Sequence, residues 1–207
     1  MILPTILLKV GLSGMSHPFR SFIQNYTSMP DADWAEIEEH LEKKTFEKGD
    51  LLLREGEVCR YVYFLESGFL RYFVWKDGED VSKFFTSPPY CFTSQRSLTQ
   101  KIPAKESIEA LERSEVWMMK AEDVESLFTL NSWSTFVRRL VQEVQHFTEE
   151  ILAEVQNRTA EDRYRDLLES GHLYLQKVPL KHLASYLGIA PQSLSRIRKK
   201  LLLETRT

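Results

Sequence analysis

The sequence predicts an α+β chain in three consecutive parts: a compact all-β sandwich or barrel, one long helix, and a small helical domain at the C-terminal end. Three observations predict it. Short apolar and aromatic runs recur between Thr45 and Met119 at a spacing of roughly 8–12 residues. A stretch free of Gly and Pro then runs from Ser132 to Asn157, and near the end two short amphipathic segments flank Gly188.

Ahead of the strands, Asp31 to Lys43 reads as an amphipathic helix carrying Trp34, Ile37, His40 and Leu41, opened by Pro30 and capped by Asp31 or Asp33. The expected strands are Thr45-Phe46, Leu51–Leu53, Tyr61–Leu65, Phe69–Trp75, Val81–Phe85, Ser107–Leu111 and Val116–Met119. Lys48-Gly49-Asp50, Glu55-Gly56-Glu57, Ser67-Gly68 and Lys76-Asp77-Gly78-Glu79 supply the turns between them.

Ala121 to Phe128 is an expected short helix, and a long one follows to Asn157. Val137, Leu140, Val144, Phe147, Ile151 and Val155 recur at steps of 3, 4, 3, 4 and 4, close to the period of a coiled coil. The helix is about 25 residues, or near 38 Å by its rise per residue, longer than a small β domain covers. A parallel homodimer seam is therefore expected, against the simpler alternative of a helix packed on its own β domain. Thr159-Ala-Glu-Asp162 has the form of a capping box, with Asp where Glu or Gln is usual. Tyr164, Leu167 and Leu168 stripe the next helix, which Ser170-Gly171 stops. Asn157 to Thr159 is the expected hinge.

In the last segment Leu180, Leu183, Ala184 and Leu187 share one helical face, Gly188 supplies a left-handed turn, and Pro191 opens a second helix buried through Leu194, Ile197 and Leu201. This is a helix-turn-helix pattern. Gln192, Ser193, Ser195, Arg196, Lys199 and Lys200 remain outward, side chains that read base edges and hold phosphates. A plain helical hairpin with a solvated basic face is the alternative, and the charge distribution favours the first reading. From Lys177 to Thr207 seven Lys or Arg stand against one acid, Glu204, a local charge of +6 on a chain of −3. An acidic body with a basic end presents one face to nucleic acid.

Composition sets the bounds. The 207 residues, 43% hydrophobic and 28% charged, suffice for one large domain and a small one. Cys59 and Cys91 lie too far apart for a CxxC pair, which favours a reduced, cytoplasmic compartment. Met1 to Gly14 is apolar but too short to span a bilayer, and it lacks the charged start and cleavage site of a signal peptide. Met15 is a candidate start, with residues 1–14 a non-native upstream extension; the expected divisions are then 15–130, 131–157 and 158–207.

The order of parts resembles the Crp/Fnr family of bacterial transcription regulators over nearly all of Met15 to Leu201. Its most specific pieces are Phe46-Glu-Lys-Gly-Asp50 with Glu55-Gly-Glu57, Tyr63-Phe-Leu-Glu-Ser-Gly68, Arg158-Thr-Ala-Glu-Asp-Arg-Tyr164 and Leu187-Gly188. The resemblance implies an N-terminal β-roll of cyclic-nucleotide-binding type, a dimerisation helix, and a two-fold dimer placing Gln192 and Arg196 against bases of a palindromic operator. Two departures from the family pattern follow. Between Ser87 and Ser107 the cassette's glycine, its glutamate and the arginine at the expected place are missing, and Pro88 and Pro89 have no amides to donate, so cyclic AMP is not the expected effector. Only six residues follow Leu201 in this sequence, so a winged hairpin is not expected.

For an effector of unknown identity the candidate pocket residues are Tyr63, Tyr72, Phe85 and Arg96. The alternatives are ordinary core for the aromatics and solvated loop charge for Arg96 and Lys105. The five histidines have no metal-ligand spacing, and two cysteines are too few for an iron–sulfur cluster. G-x-S-x-G, P-loop and dinucleotide fingerprints are absent, so neither an enzyme nor a cofactor is expected. Two rival readings are a stand-alone ligand sensor whose helical tail contacts only protein, and a cupin-type enzyme. The second would need His ligands on neighbouring strands, and the expected strands contain none.

Overall fold

In the computed structural model, which describes residues 17–169 and 177–204, two four-stranded antiparallel sheets face one another. Strand β1 (Glu42–Phe46), β8 (Ser114–Lys120), β3 (Tyr61–Ser67) and β6 (Tyr90–Phe92) form one sheet in that order. The other runs β2 (Leu51–Leu53), β7 (Ser107–Ala110), β4 (Leu70–Lys76) and β5 (Glu79–Thr86). Their alternation builds the core. In β3, Tyr63 and Leu65 join Phe46, Val116, Met118 and Ile108 between the sheets, while Val62 and Phe64 point the other way. A bulge at Tyr72/Phe73 shifts the β4–β5 register.

Three helices cover the outer face of the first sheet. Helix α1 (Pro18–Gln24) places Phe19 and Phe22 on Phe64 at ring separations of 4.9 and 5.3 Å. Helix α2 (Asp31–Glu38) adds Trp34 and Ile37, and the start of the long helix α5 (Asn131–Asn157) adds Trp133 and Phe136. The remaining helices are α3 (Gln95–Gln100), α4 (Ala121–Ser126) with a 3-10 turn at Leu127–Thr129, α6 (Ala160–Glu169), α7 (Leu180–Leu187) and α8 (Pro191–Glu204).

Several expectations are corrected. The helix expected to reach Lys43 ends at Glu38, because Glu42–Phe46 completes its backbone hydrogen bonds as an edge strand against Ser114–Met118. Pro30, not an aspartate, occupies its N-cap, and Asp33 accepts the Ser132 hydroxyl at 2.5 Å. Helices α1 and α3 and strand β6 were not anticipated. The expected extension at residues 1–14 and the stop at Ser170-Gly171 fall outside the described residues.

The small helical domain docks on the second sheet. Phe69, Phe85 and Leu111 of the roll share one apolar cluster with Tyr164, Leu183, Leu187, Leu194 and Leu201. Beside it Arg71, only 3% exposed, is held by Glu109 at 2.7 Å and Asp80 at 2.8 Å, and it also meets His182 Nδ1 of α7. Lys181 reaches Asp80 at 2.9 Å, and the Ser82 amide donates to the Ser185 hydroxyl at 3.0 Å.

Candidate nucleic-acid interface and effector cavity

The α7–α8 turn closes as its residues require. Gly188 takes φ +73°, its amide donates to the Ser185 carbonyl and the Ile189 amide to that of Ala184, which completes a Schellman-type helix end. Arg163 of α6 donates to the Leu187 carbonyl at 2.7 Å, a further cap on the same end. The Arg158–Tyr164 segment is thus a staple for the domain. Thr159 and Asp162 exchange the capping-box hydrogen bonds, and Arg158 grips Asp166 through both guanidinium nitrogens.

Along α8, Leu194 and Leu201 are buried while Gln192, Ser193, Ser195, Arg196, Lys199 and Lys200 are all exposed. Two of the six have partners inside the domain. The Ser195 hydroxyl donates back to the Pro191 carbonyl at 3.1 Å, and Lys200 pairs with Glu161 at 2.7 Å. That pairing raises the Lys200 ammonium and lowers the Glu161 carboxyl. Arg198 turns inward, donating to the Tyr164 hydroxyl at 3.0 Å. Gln192, Ser193, Arg196 and Lys199 are left as the open face of the helix.

A second feature lies in the roll. Where the edges of β5 and β6 meet α5, a cavity of about 540 Å³ is lined by Tyr72, Phe84, Tyr90 and Phe92 on one side and Val137, Leu140, Val141 and Val144 on the other. Of the four residues expected to line a pocket, Tyr72 is there and the others are elsewhere. Tyr63 is buried against Phe92 in the core, 5.0 Å between stacked rings. Phe85 follows Phe84 in the strand, so alternation turns it to the opposite face, against Tyr186 of α7. Arg96 stands exposed on α3 and donates to Gln100. The cavity signal missed in the sequence was the β6 tripeptide Tyr90-Cys-Phe92, which lies inside the stretch compared with the phosphate cassette and was not read as a strand.

The expected dimer seam is also divided. Val137 and Leu140 pack toward the roll, and Phe147 approaches Phe84 at 6.3 Å. Val144 and Val155 are exposed, together with Val141 and Leu152, which were not assigned to the seam. Ile151 is partly buried.

Cys59 and Cys91 are buried free thiols, and burial pushes Cys91 up to about 12, so it stays a thiol at neutral pH. Among the described residues, no group of three His, Cys, Asp or Glu is placed to hold a metal ion, and no helix is long and apolar enough to cross a membrane.

Residues 43–131, from β1 to the start of α5, match the cyclic nucleotide-binding domain family. The fold of the whole is that of Crp/Fnr transcription regulators. It is similar to a Crp/Fnr-family transcriptional regulator from Eubacterium rectale, with TM-score 0.67 at 17% identity over 87% of this chain and 88% of the other. FixK2 from Bradyrhizobium japonicum gives 0.64 at 19% identity over 80% and 86%. A CooA mutant from Carboxydothermus hydrogenoformans gives 0.65 at 10% identity over 92% and 86%. No curated protein sequence matches the chain significantly.

Proposed function

We propose that this chain is a dimeric, sequence-specific DNA-binding transcription regulator of Crp/Fnr type that does not respond to cyclic AMP. The observation that carries the reading is α8: its apolar residues are buried while Gln192, Arg196 and Lys199 stand exposed along one open face. With that face in the major groove, the Arg196 guanidinium bridges the two acceptors of a guanine and Lys199 reaches a phosphate. Lys200 must first leave Glu161 to do the same. The exposed apolar residues of α5 support a two-fold dimer, whose reading helices would enter half-sites about 34 Å apart. For cyclic AMP, the cavity lining includes no Lys or Arg to meet a phosphate.

The test is a binding-site selection from randomised duplexes. The parent should enrich a palindrome. Arg196→Ala should lose about 1–3 kcal/mol on that site and relax preference at one base pair per half-site. Lys199→Ala should weaken all duplexes alike and flatten the salt slope by about 1. Absence of any enriched palindrome, with no salt-dependent duplex affinity, would favour the stand-alone sensor instead.

A further inference from the structure

We infer that the cavity between α5 and the edges of β5 and β6 is a binding site for an uncharged, predominantly apolar small molecule. Its role as an effector rests on the regulator reading above; its existence as a site does not. The volume of about 540 Å³ lies within the range of small-molecule pockets, and the walls are aromatic and branched aliphatic. Tyr72 and Phe84 meet edge-on at 5.4 Å, and Tyr90 and Phe92 stack at 6.3 Å, so two faces of the cavity are fixed by ring packing.

Charge chemistry argues against an ionic ligand. The one ionisable carboxylate at the rim is the exposed Glu125, and no cation lines the walls. An anion entering would shed water and find no counter-charge, a cost that a neutral ligand avoids. Burial raises the Tyr72 and Tyr90 phenols, which keeps both as neutral hydroxyls. The Thr93 hydroxyl is already committed to the Tyr61 carbonyl at 2.9 Å. The remaining polar groups suit a ligand with one or two hydrogen-bonding atoms on an apolar body.

The placement also fits an effector. Tyr72 and Phe84 face the cavity, while their neighbours Arg71 and Phe85 face α7 on the other side of the same two strands. Ligand and DNA-reading domain lie back to back across one β-ribbon.

The experiment titrates the full chain with N-phenyl-1-naphthylamine, an uncharged apolar fluorophore, and follows its emission. Saturable micromolar binding is expected, unchanged by excess cyclic AMP. Val137→Trp, which fills the cavity, and Phe128→Glu, which charges its exposed rim, should each weaken binding tenfold or more. Trp75→Glu, which removes a 60%-exposed apolar side chain outside the cavity, should leave it unchanged. The inference is overturned if the fluorophore does not saturate, if cyclic AMP displaces it, or if both cavity variants fold with parental circular dichroism and bind as the parent does. Failure of the palindrome selection while the fluorophore still binds removes the DNA reading and leaves this site standing.

Discussion

Gly68 shows how one residue can fix the roll. It joins β3 to β4 at φ +107°, and a Cβ there would fall 2.5 Å from the Ser114 Cα, with the Ser114 hydroxyl closer still. That hydroxyl accepts the Phe69 amide at 3.3 Å and donates to the Glu112 carbonyl at 2.8 Å, so it has no room to withdraw. Gly68→Ala therefore combines backbone strain with a collision against backbone. It should cost about 2 kcal/mol or more and lower Tm by about 4 °C or more in a thermal melt. Gly49, also at positive φ but with nothing near its missing Cβ, should lose only about 1 kcal/mol on the same change. The sequence marked both glycines as turns. The approach of Ser114, 46 positions away, was not legible, because local patterning carries no record of what the fold brings alongside.

At the scale of elements, α5 is where periodicity and packing part company. Its apolar residues follow a heptad from Val137 to Val155, yet the helix serves two neighbours. Val137, Leu140 and Phe147 turn toward the roll, and the exposed stripe is Val141, Val144, Leu152 and Val155. Leu152, 57% exposed, is the most open large hydrophobic of the helix. If the proposed dimer uses this stripe, Val144→Asp with Leu152→Asp should convert the protein to monomer, since a charge in a buried seam costs several kcal/mol. Light scattering at low micromolar concentration reads the mass, and a persisting dimer places the interface elsewhere. Phe147→Asp should act differently, lowering thermal stability through lost packing on Phe84. A 3.5-residue period reports that a helix has an apolar side. It does not say which part of that side the chain itself will cover.

Across the whole molecule, the contact between the roll and the helical domain carries a polar cluster beside its apolar cluster. His182 of α7 meets Arg71 and stands 3.6 Å from Asp80, and it feels the charges of Glu109 and Lys181. Burial, reinforced by the Arg71 guanidinium, lowers its pKa below the ordinary 6.5, with Asp80 and Glu109 opposing. The neutral ring accepts the Arg71 hydrogen bond. Since the docked state holds the proton less tightly than the free imidazole, docking is at full strength above pH 6.5 and weakens as pH falls below it. Asp80 adds to the effect at lower pH: burial would raise it, but Lys181 and Arg71 hold it below 3.8, so its contribution is lost only in stronger acid. Small-angle scattering should show the particle expanding between pH 7.5 and 5.5. His182→Gln, which stays neutral, should remove most of that change; an unaltered pH response in the variant would move the switch to other groups.

The order of parts, most of the strands, the left-handed turn at Gly188 and the exposed face of α8 were all legible in the residues alone. Each of these rests on patterns within a few residues: side-chain alternation, helical period, a glycine where φ is positive. Three-dimensional packing was needed to show that the first strand begins at Glu42, that Phe85 serves the domain contact rather than the cavity, that Lys200 is engaged by Glu161, and that Arg71 is a buried hub. Those outcomes are set by partners far along the chain. An edge strand exists because another strand offers its hydrogen bonds, and a cation can be buried because Asp80 and Glu109 converge on it. Spacing along the chain encodes the faces of each element, and three-dimensional packing alone decides what each face meets.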